Sequence, residues 1–396
     1  MRKLYYQLSE NSPKILWLAI LGILFLGKLN LNYAQSFFSM KGFGEEVLCN
    51  DVKAISLGRL VNISQENPAY PLILNKTEFH ASIASNFVFA QEANYQRLIY
   101  HIRPTLVRFN FPLPARFNVG IKLSEYFNQN FDIYSESIPV ANYWTRRRII
   151  GKGGINGLGV CLGNRLFADK LSLGMAYNKL LGEELEIWNF EVFQGSYQTS
   201  DTVRISYSTH QLKLGMLLDI SGISVGVTLE EFLTGAINQK VISHNSIVDT
   251  IHGVRFNLPK SYGLGCGVNI IPNLKLFSDF FVRQWQKATI NDTFFNHFNS
   301  SMQVSIGGEY YIQENLPIRI GLRYYQSYLQ DRTNNKITEF GLSGGSHIKI
   351  ANFGGFNYAV EIVQRQSQFI KEWIARINFG LAYEEAWRKR TRRWGY

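Results

Sequence analysis

The chain has 396 residues, 46% of them hydrophobic and 14% aromatic, with a mean hydropathy of −0.10. That is room for several ordinary domains or one large β architecture, without the apolar average of a helical membrane protein. The net charge of +11 is spread along the chain apart from a dense run at Arg388 to Arg393; no nucleic-acid-binding signature accompanies it, so no nucleic-acid partner is expected.

The chain begins with Arg2, Lys3 and Lys14, followed by the apolar run Ile15 to Gly27. A basic lead and an apolar core this short have the form of an export signal, with cleavage after Ala34. Residues 1–34 are therefore expected to be a signal peptide. No later run is apolar and long enough to cross a membrane as a helix. Residues 35–78 lack clean alternation but carry apolar side chains (Phe37, Phe38, Phe43, Ile55, Leu57, Leu60), glycines and Asn67-Pro68-Ala69; they are expected to pack as a plug.

From residue 79 the hydrophobic period becomes two. Val119, Ile121 and Leu123 interleave with Asn118, Gly120 and Lys122. Leu171, Leu173, Met175 and Tyr177 interleave with Ser172, Gly174 and Ala176, and Val304, Ile306 and Tyr310 with Gln303, Ser305 and Glu309. In the last segment Trp373, Ala375, Ile377, Phe379, Leu381 and Tyr383 share one face. Trp373 and Tyr383 span ~33 Å along a strand. Tilted by ~40°, that is ~25 Å of height, the lipid-facing band of an outer-membrane barrel. Short connections near 111–115, 164–170, 220–222, 271–273, 313–316 and 350–354 alternate with longer polar stretches near 129–150, 181–202, 239–258, 289–300, 329–336 and 366–371. The pattern predicts an all-β fold: a closed antiparallel transmembrane barrel of about fourteen strands over 79–383, both termini on one side, and a basic periplasmic tail over 384–396. A soluble β-sandwich also alternates, but its strands are shorter, and a face of Arg, Lys, Asn and Gly cannot form a second dry core. The expected location is the bacterial outer membrane, with the lipid bilayer and the barrel-assembly machinery as partners.

A ring of fourteen strands has a backbone diameter of ~28 Å, too wide for side chains alone to fill. Period two sends Arg116, Lys122, Lys213, Arg319, Arg323 and Arg376 inward, while inward acids such as Asp219, Glu230, Glu309 and Glu361 read as fewer. These bases either pair with the acids and the plug, or form a net basic lumen that receives an anionic head group.

The order of signal peptide, Gly-containing segment, Asn67-Pro68-Ala69 and first strand resembles the FadL/TodX-type hydrophobic-compound transport barrels. So do Leu258-Pro259-Lys260-Ser261-Tyr262-Gly263, Ile306-Gly307-Gly308-Glu309-Tyr310 and Leu316-Pro317-Ile318-Arg319-Ile320-Gly321. The resemblance covers roughly 42–383 and implies passive uptake of hydrophobic or amphipathic small molecules, such as long-chain fatty acids. Tyr70 replaces that family's glycine after Asn-Pro-Ala, and the tail beyond the last strand is a further departure. A non-transport barrel with a structural or secretion-associated anchoring role is the alternative.

The seven histidines lack metal-ligand spacing, and Gly151-Lys152-Gly153-Gly154 lacks the end of a phosphate loop. Ser208-Thr209-His210, or His297 with Ser300, could be read as a lipase-like pair, but no orienting acid is near in sequence. No catalytic residue, metal or cofactor is expected. The three cysteines, Cys49, Cys161 and Cys266, do not make a disulfide framework, although a bridge from Cys49 to either of the others stays open.

Overall fold

The computed structural model describes residues 37–70 and 76–386, except 93–94, 136, 141–142, 168–169, 193–197, 244–245, 295–297, 314–315, 332, 351–353 and 369. The expected signal peptide, most of the basic tail and His297 lie outside the described residues.

Fourteen antiparallel strands close into one barrel. They are β1 (Lys76–Glu92), β2 (Tyr95–Pro112), β3 (Phe117–Asn128), β4 (Tyr143–Leu166), β5 (Leu171–Val192), β6 (Gln198–Ile220) and β7 (Ile223–Phe232). They continue with β8 (Ser261–Ile271), β9 (Leu274–Arg283), β10 (Ser301–Gln313), β11 (Leu316–Gln330), β12 (Lys336–Ile350), β13 (Gly354–Gln366) and β14 (Ile370–Ala386). The ring closes where β1 runs against β14, from Lys76↔Ala386 to Glu92↔Ile370. Closure leaves no free sheet edge along that junction.

Turn chemistry separates a short-turn end from a long-loop end. Ser221 (φ 50°) and Gly222 (φ 85°) join β6 to β7 in two residues, the left-handed pair that matches strand twist. The long-loop end is more ordered than its polar sequence implies. β4, β5 and β6 have 24, 22 and 23 residues, whereas about ten span a bilayer. The stretches 129–150, 181–202 and 239–258, expected as loops, are largely strand: Phe131–Tyr134, Gly235–Ser243 and Ser246–Asn257 add to these extensions.

The outward face is continuous and apolar. Leu158, Val160, Leu162, Met175, Ile306, Ile320, Leu342, Ile362, Trp373 and Leu381 are all exposed. An apolar belt of this extent is unstable in water and stable against lipid.

Residues 37–70 run inside the ring. Phe38 and Phe43 join an aromatic cluster at the long-loop end with Phe127, Tyr207, Phe256, Trp285 and Tyr328. The Tyr328 ring stacks on Trp285 at 3.9 Å between centroids. A one-turn helix, α1 (Val52–Ser56), follows, capped by the Asp51 carboxylate, which accepts the Ala54 N–H at 3.3 Å. The chain then circles the wall, and where it comes closest, by backbone or by side chain, the wall presents glycine. Val52 lies on Gly380 of β14, Gly58 on Gly321 of β11, Leu57 on Gly307 of β10, Asn62 on Gly226 of β7, Asn67 on Gly215 of β6 and Pro68 on Gly174 of β5.

Gly307 and its neighbour Gly308 isolate this effect. A Cβ at Gly307 would sit 2.5 Å from the Leu57 carbonyl oxygen, whereas one at Gly308 meets nothing nearer than Leu276 at 3.4 Å. Gly307→Val is therefore expected to cost about 1–3 kcal/mol and to lower the heat-resistant folded fraction in a gel-shift assay. Gly308→Val should leave that fraction within a few per cent. Equal behaviour of the two variants would mean that the inner segment does not press on the wall.

Candidate functional site

The lumen is polar and its charges are paired. Alternation points Glu78, Glu125, Glu230, Asp279, Glu309, Glu339, Glu361 and Glu372 into the ring, where all are buried. These carboxylates are no fewer than the buried bases of the barrel strands among the described residues, Arg108, Lys213, Arg283, Arg319, Arg323, Arg365 and Arg376. Of the two arrangements the sequence leaves open, the buried charges follow pairing with acids and the inner segment. The sequence reading undercounted the acids because several, Glu78, Glu339 and Glu372 among them, lie near strand ends.

Of the six bases singled out from sequence, Arg116 is misplaced. It sits in the exposed turn Pro114–Arg116 with φ 64°, one residue before β3 begins. The other five face inward, each on a carboxylate. Lys122 bonds Glu66, and Lys213 reaches Glu230 at 2.7 Å. Arg319 meets Glu309 at 2.8 Å, and Arg323 meets Glu339 at 2.8 Å. Arg376 bridges Glu45 at 2.8 Å and Glu361 at 3.1 Å.

Many of these pairs tie the inner segment to opposite sides of the ring. Glu46 bonds Arg283 of β9 and accepts the Tyr325 hydroxyl at 3.0 Å. Lys53 lies 3.5 Å from Glu309 of β10. Arg59 holds both oxygens of Glu361 of β13 through Nε at 3.0 and 3.1 Å, and Oε2 through Nη2 at 2.8 Å. Two asparagines work through the backbone. The Asn62 N–H donates to Asp279 at 2.8 Å and its side chain donates to the Phe280 carbonyl at 2.9 Å. Asn67 donates to the Asn62 carbonyl at 2.6 Å and accepts the Ala69 N–H at 2.9 Å. The Pro68 carbonyl receives the Cys161 thiol at 3.5 Å, and Ala69 is buried. Sequence reasoning named Asn67, Pro68 and Ala69 but missed Glu45, Glu46, Arg59, Glu66 and Asp279, whose partners lie far away in sequence. All three cysteines are free, which removes the bridge from Cys49.

Among the described residues the wall parts at a seam between β2 and β3. β2 and β3 pair only from Leu106↔Ser124 to Pro112↔Asn118. Toward the long-loop end β2 stays on β1 and β3 stays on β4, so among the described residues the two edges part. Both strands bulge at that level: Thr105 is skipped between Leu106 and Pro104, and Tyr126 between Glu125 and Phe127. Pro104 brings no N–H to the ladder. The seam is spanned by an ion pair, Arg103 Nη1 to Glu125 Oε1 at 2.7 Å. On its inner side the two-residue strand Glu45–Glu46 pairs with Asn128 and Phe127, and the Val47 N–H donates to the Tyr126 carbonyl at 2.8 Å.

Beside the seam lies a small cavity partly open to solvent. Its lining includes Arg108 and Asn110 of β2, Lys122 and Ser124 of β3, Asn178 of β5, Lys213 of β6 and Glu66 from the inner segment. On the outer wall, the His210 ring nitrogen Nδ1 lies 2.7 Å from the Tyr177 hydroxyl, so the Ser208/His210 pair considered from sequence has its histidine engaged by a tyrosine.

Glu66 gives a pH test of the inner segment. Burial pushes its carboxyl up, but the Lys122 and Lys213 ammonium groups outweigh burial and hold it at about 2, against 4.5 for a free glutamate. That difference corresponds to roughly 3 kcal/mol. A depressed carboxyl stabilises fully above the unfolded value and loses its effect as pH falls through the folded one. The Tm difference between wild type and Glu66→Gln, which isolates this carboxyl, is expected to stay constant from pH 7 to 5 in detergent and to shrink between pH 4 and 2. Glu66→Gln should lower Tm at pH 7. A difference that does not shrink in acid would assign the acid sensitivity to other groups.

The fold has solved counterparts. The toluene transporter TodX of Pseudomonas putida aligns with a TM-score of 0.59 at 13% identity, over 86% of this chain and 99% of that one. A FadL homologue of Pseudomonas aeruginosa gives 0.53 at 11% identity, over 90% and 100%. The monoaromatic hydrocarbon channel CymD gives 0.54 at 11%, over 90% and 98%. No functionally curated protein matches the sequence. The family profile described as BamG matches residues 14–393, nearly the whole chain. This outer-membrane β-barrel belongs to the BamG family.

Proposed function

We propose that the barrel passes small hydrophobic or amphipathic molecules across the outer membrane, and that residues 37–70 act as a plug that denies an open pore. The seam between β2 and β3 carries this reading. It interrupts the wall beside the membrane, and Arg108, Asn110, Lys122, Ser124 and Glu125 of its two strands also line the adjacent cavity. A molecule entering from lipid at the seam reaches that cavity without crossing the aromatic cluster at the long-loop end. The lining sets polar groups beside apolar Val47, Leu48, Tyr70 and Phe281, which suits an amphipathic cargo, such as a fatty acid, better than a pure hydrocarbon. TodX and CymD are described as a toluene transporter and a monoaromatic hydrocarbon channel, and the shared fold supports passage of small apolar matter in general.

A second reading, a barrel that anchors or scaffolds other proteins, is favoured by a different observation. The inner segment is tied by ion pairs to β4's neighbour β3, to β9, β10, β13 and β14, which suits a fixed scaffold as well as a gate. The family's BamG label hints at a relation to the barrel-assembly machinery.

A reversible lock separates the two. Arg103→Cys with Glu125→Cys, in a chain whose native cysteines are replaced by alanine, lets a bis-thiol crosslinker with a reducible spacer bridge the seam. Crosslinking is expected to reduce uptake of labelled fatty acid into cells or proteoliposomes at least fivefold, and reductant should restore it. Uptake that never exceeds a barrel-free control, or that ignores the lock, would reject the transport reading.

A further inference from the structure

Lys213, Arg319 and Arg323 face the lumen and sit on carboxylates, whereas a second set of bases faces outward. β4, β5 and β6 pair without a register shift, so residues opposite one another share a face. On β5 the outward face runs from Leu173, Met175 and Tyr177, all exposed, to Lys179 and Leu181. Lys179 stands between Leu158 of β4 and His210 of β6, at the upper edge of the apolar belt. The Tyr177 ring stacks there on His210, as aromatic groups do at a membrane boundary. One outward position higher, Arg255 shares a row with Leu181, Ser208 and Ala236. Two positions above that, Lys152, Arg204 and Lys240 stand in one row, spread over about 15 Å.

Acids on this face have bases of their own. Glu183 meets Arg204 at 3.0 Å, Glu231 meets Lys260 at 2.7 Å and Asp132 meets Arg148 at 2.9 Å. Lys179, Lys240 and Arg255 are exposed and reach no carboxylate among the described residues. The surplus is one-sided. At the same end of the opposite wall, Met302, Gln326, Thr338 and Gln366 form an outward row without charge. Like charges gathered on one face repel, and an anion that joins them relieves that repulsion.

We propose that this surface, formed by β4 to β6 and the Gly235–Ser243 and Ser246–Asn257 strands, binds the phosphates of a phosphorylated glycolipid in the outer leaflet. Short turns face the periplasm and long loops the cell surface, so the cluster stands at the level of the outer head groups. The upper row crosses β5 at Leu185, six residues beyond Lys179. At ~3.3 Å per residue and ~40° of tilt, it lies ~15 Å above Lys179. A glycerophospholipid has its phosphate at the edge of the belt, near Lys179 and Arg255. A lipid whose sugar head group carries further phosphates also reaches the row of Lys152, Arg204 and Lys240. Ammonium and forked guanidinium groups are both phosphate binders. The surface lies outside the ring, so it acts whether the lumen carries cargo or holds a scaffold.

The test is native mass spectrometry of the purified full chain in detergent with added lipid. The lipids are a short-core lipopolysaccharide phosphorylated on lipid A and core, the same lipid stripped of phosphate, and phosphatidylglycerol. The phosphorylated glycolipid is expected to bind at least tenfold better than either of the others. Lys179→Gln with Lys240→Gln and Arg255→Gln, checked for folding by gel shift, should weaken it at least tenfold. Lys336→Gln with Lys371→Gln, at the same end of the barrel but away from the cluster, should change it less than twofold. Equal binding of the stripped lipid or of phosphatidylglycerol overturns the proposal. So does a folded triple variant with unchanged affinity, or an equal loss in the double variant. Should the triple variant fail to fold, acetylation of the wild-type lysines decides. The phosphorylated lipid must then slow Lys179 and Lys240 relative to Lys336, and no protection rejects the surface.

Discussion

A ring of fourteen strands encloses more space than inward side chains fill, and here that space is occupied by the chain's own backbone. Backbone can approach a sheet closely only where the sheet lacks side chains. The inner wall meets this condition at Gly321, Gly307, Gly226 and Gly174, where backbone atoms of Gly58, Leu57, Asn62 and Pro68 come closest. Close approach then brings the charged side chains of the segment onto acids and bases of opposite walls. In a low-dielectric lumen an unpaired charge is costly, so each pair fixes position as much as it adds stability. The space that is left, a cavity beside β2 and β3, follows from where the segment does not run.

Much of the architecture was legible because lipid enforces period two. Each strand crosses a band where one face must be apolar, so Trp373 to Tyr383 or Ile318 to Tyr324 show which side faces out. Above that band both faces meet water or neighbouring polar groups, and the signal vanishes. This is why Tyr143–Ile149 and Glu183–Val192 read as loop while folding as strand. The misplacement of Arg116 has the same root: alternation continues through a turn by chance, and only the left-handed backbone at Ala115 and Arg116 marks the break.

The site was less legible. Arg108 lies between Val107 and Phe109, outward by period two, so its inward direction was available from the sequence. Which acid each inward group meets was not, because Glu125, Glu78 and Glu66 reach Arg103, Asn110 and Lys122 from other strands or from the inner segment. Nothing local in the sequence marks the wall glycines as the places where residues 52–68 come close. The seam was hidden altogether. Pro104 is its single local sign, and the parting of β2 from β3 is a matter of pairing between strands.

The central claim is that residues 37–70 close the lumen. Single-channel recording in planar bilayers addresses it directly, comparing the intact chain with one lacking 37–70 whose folding is verified by gel shift. The intact barrel is expected to show no steady ionic conductance, and the shortened one large, stable steps from a water-filled bore ~28 Å across at the backbone. A steady porin-like conductance in the intact chain, or identical traces for the two, would contradict the account.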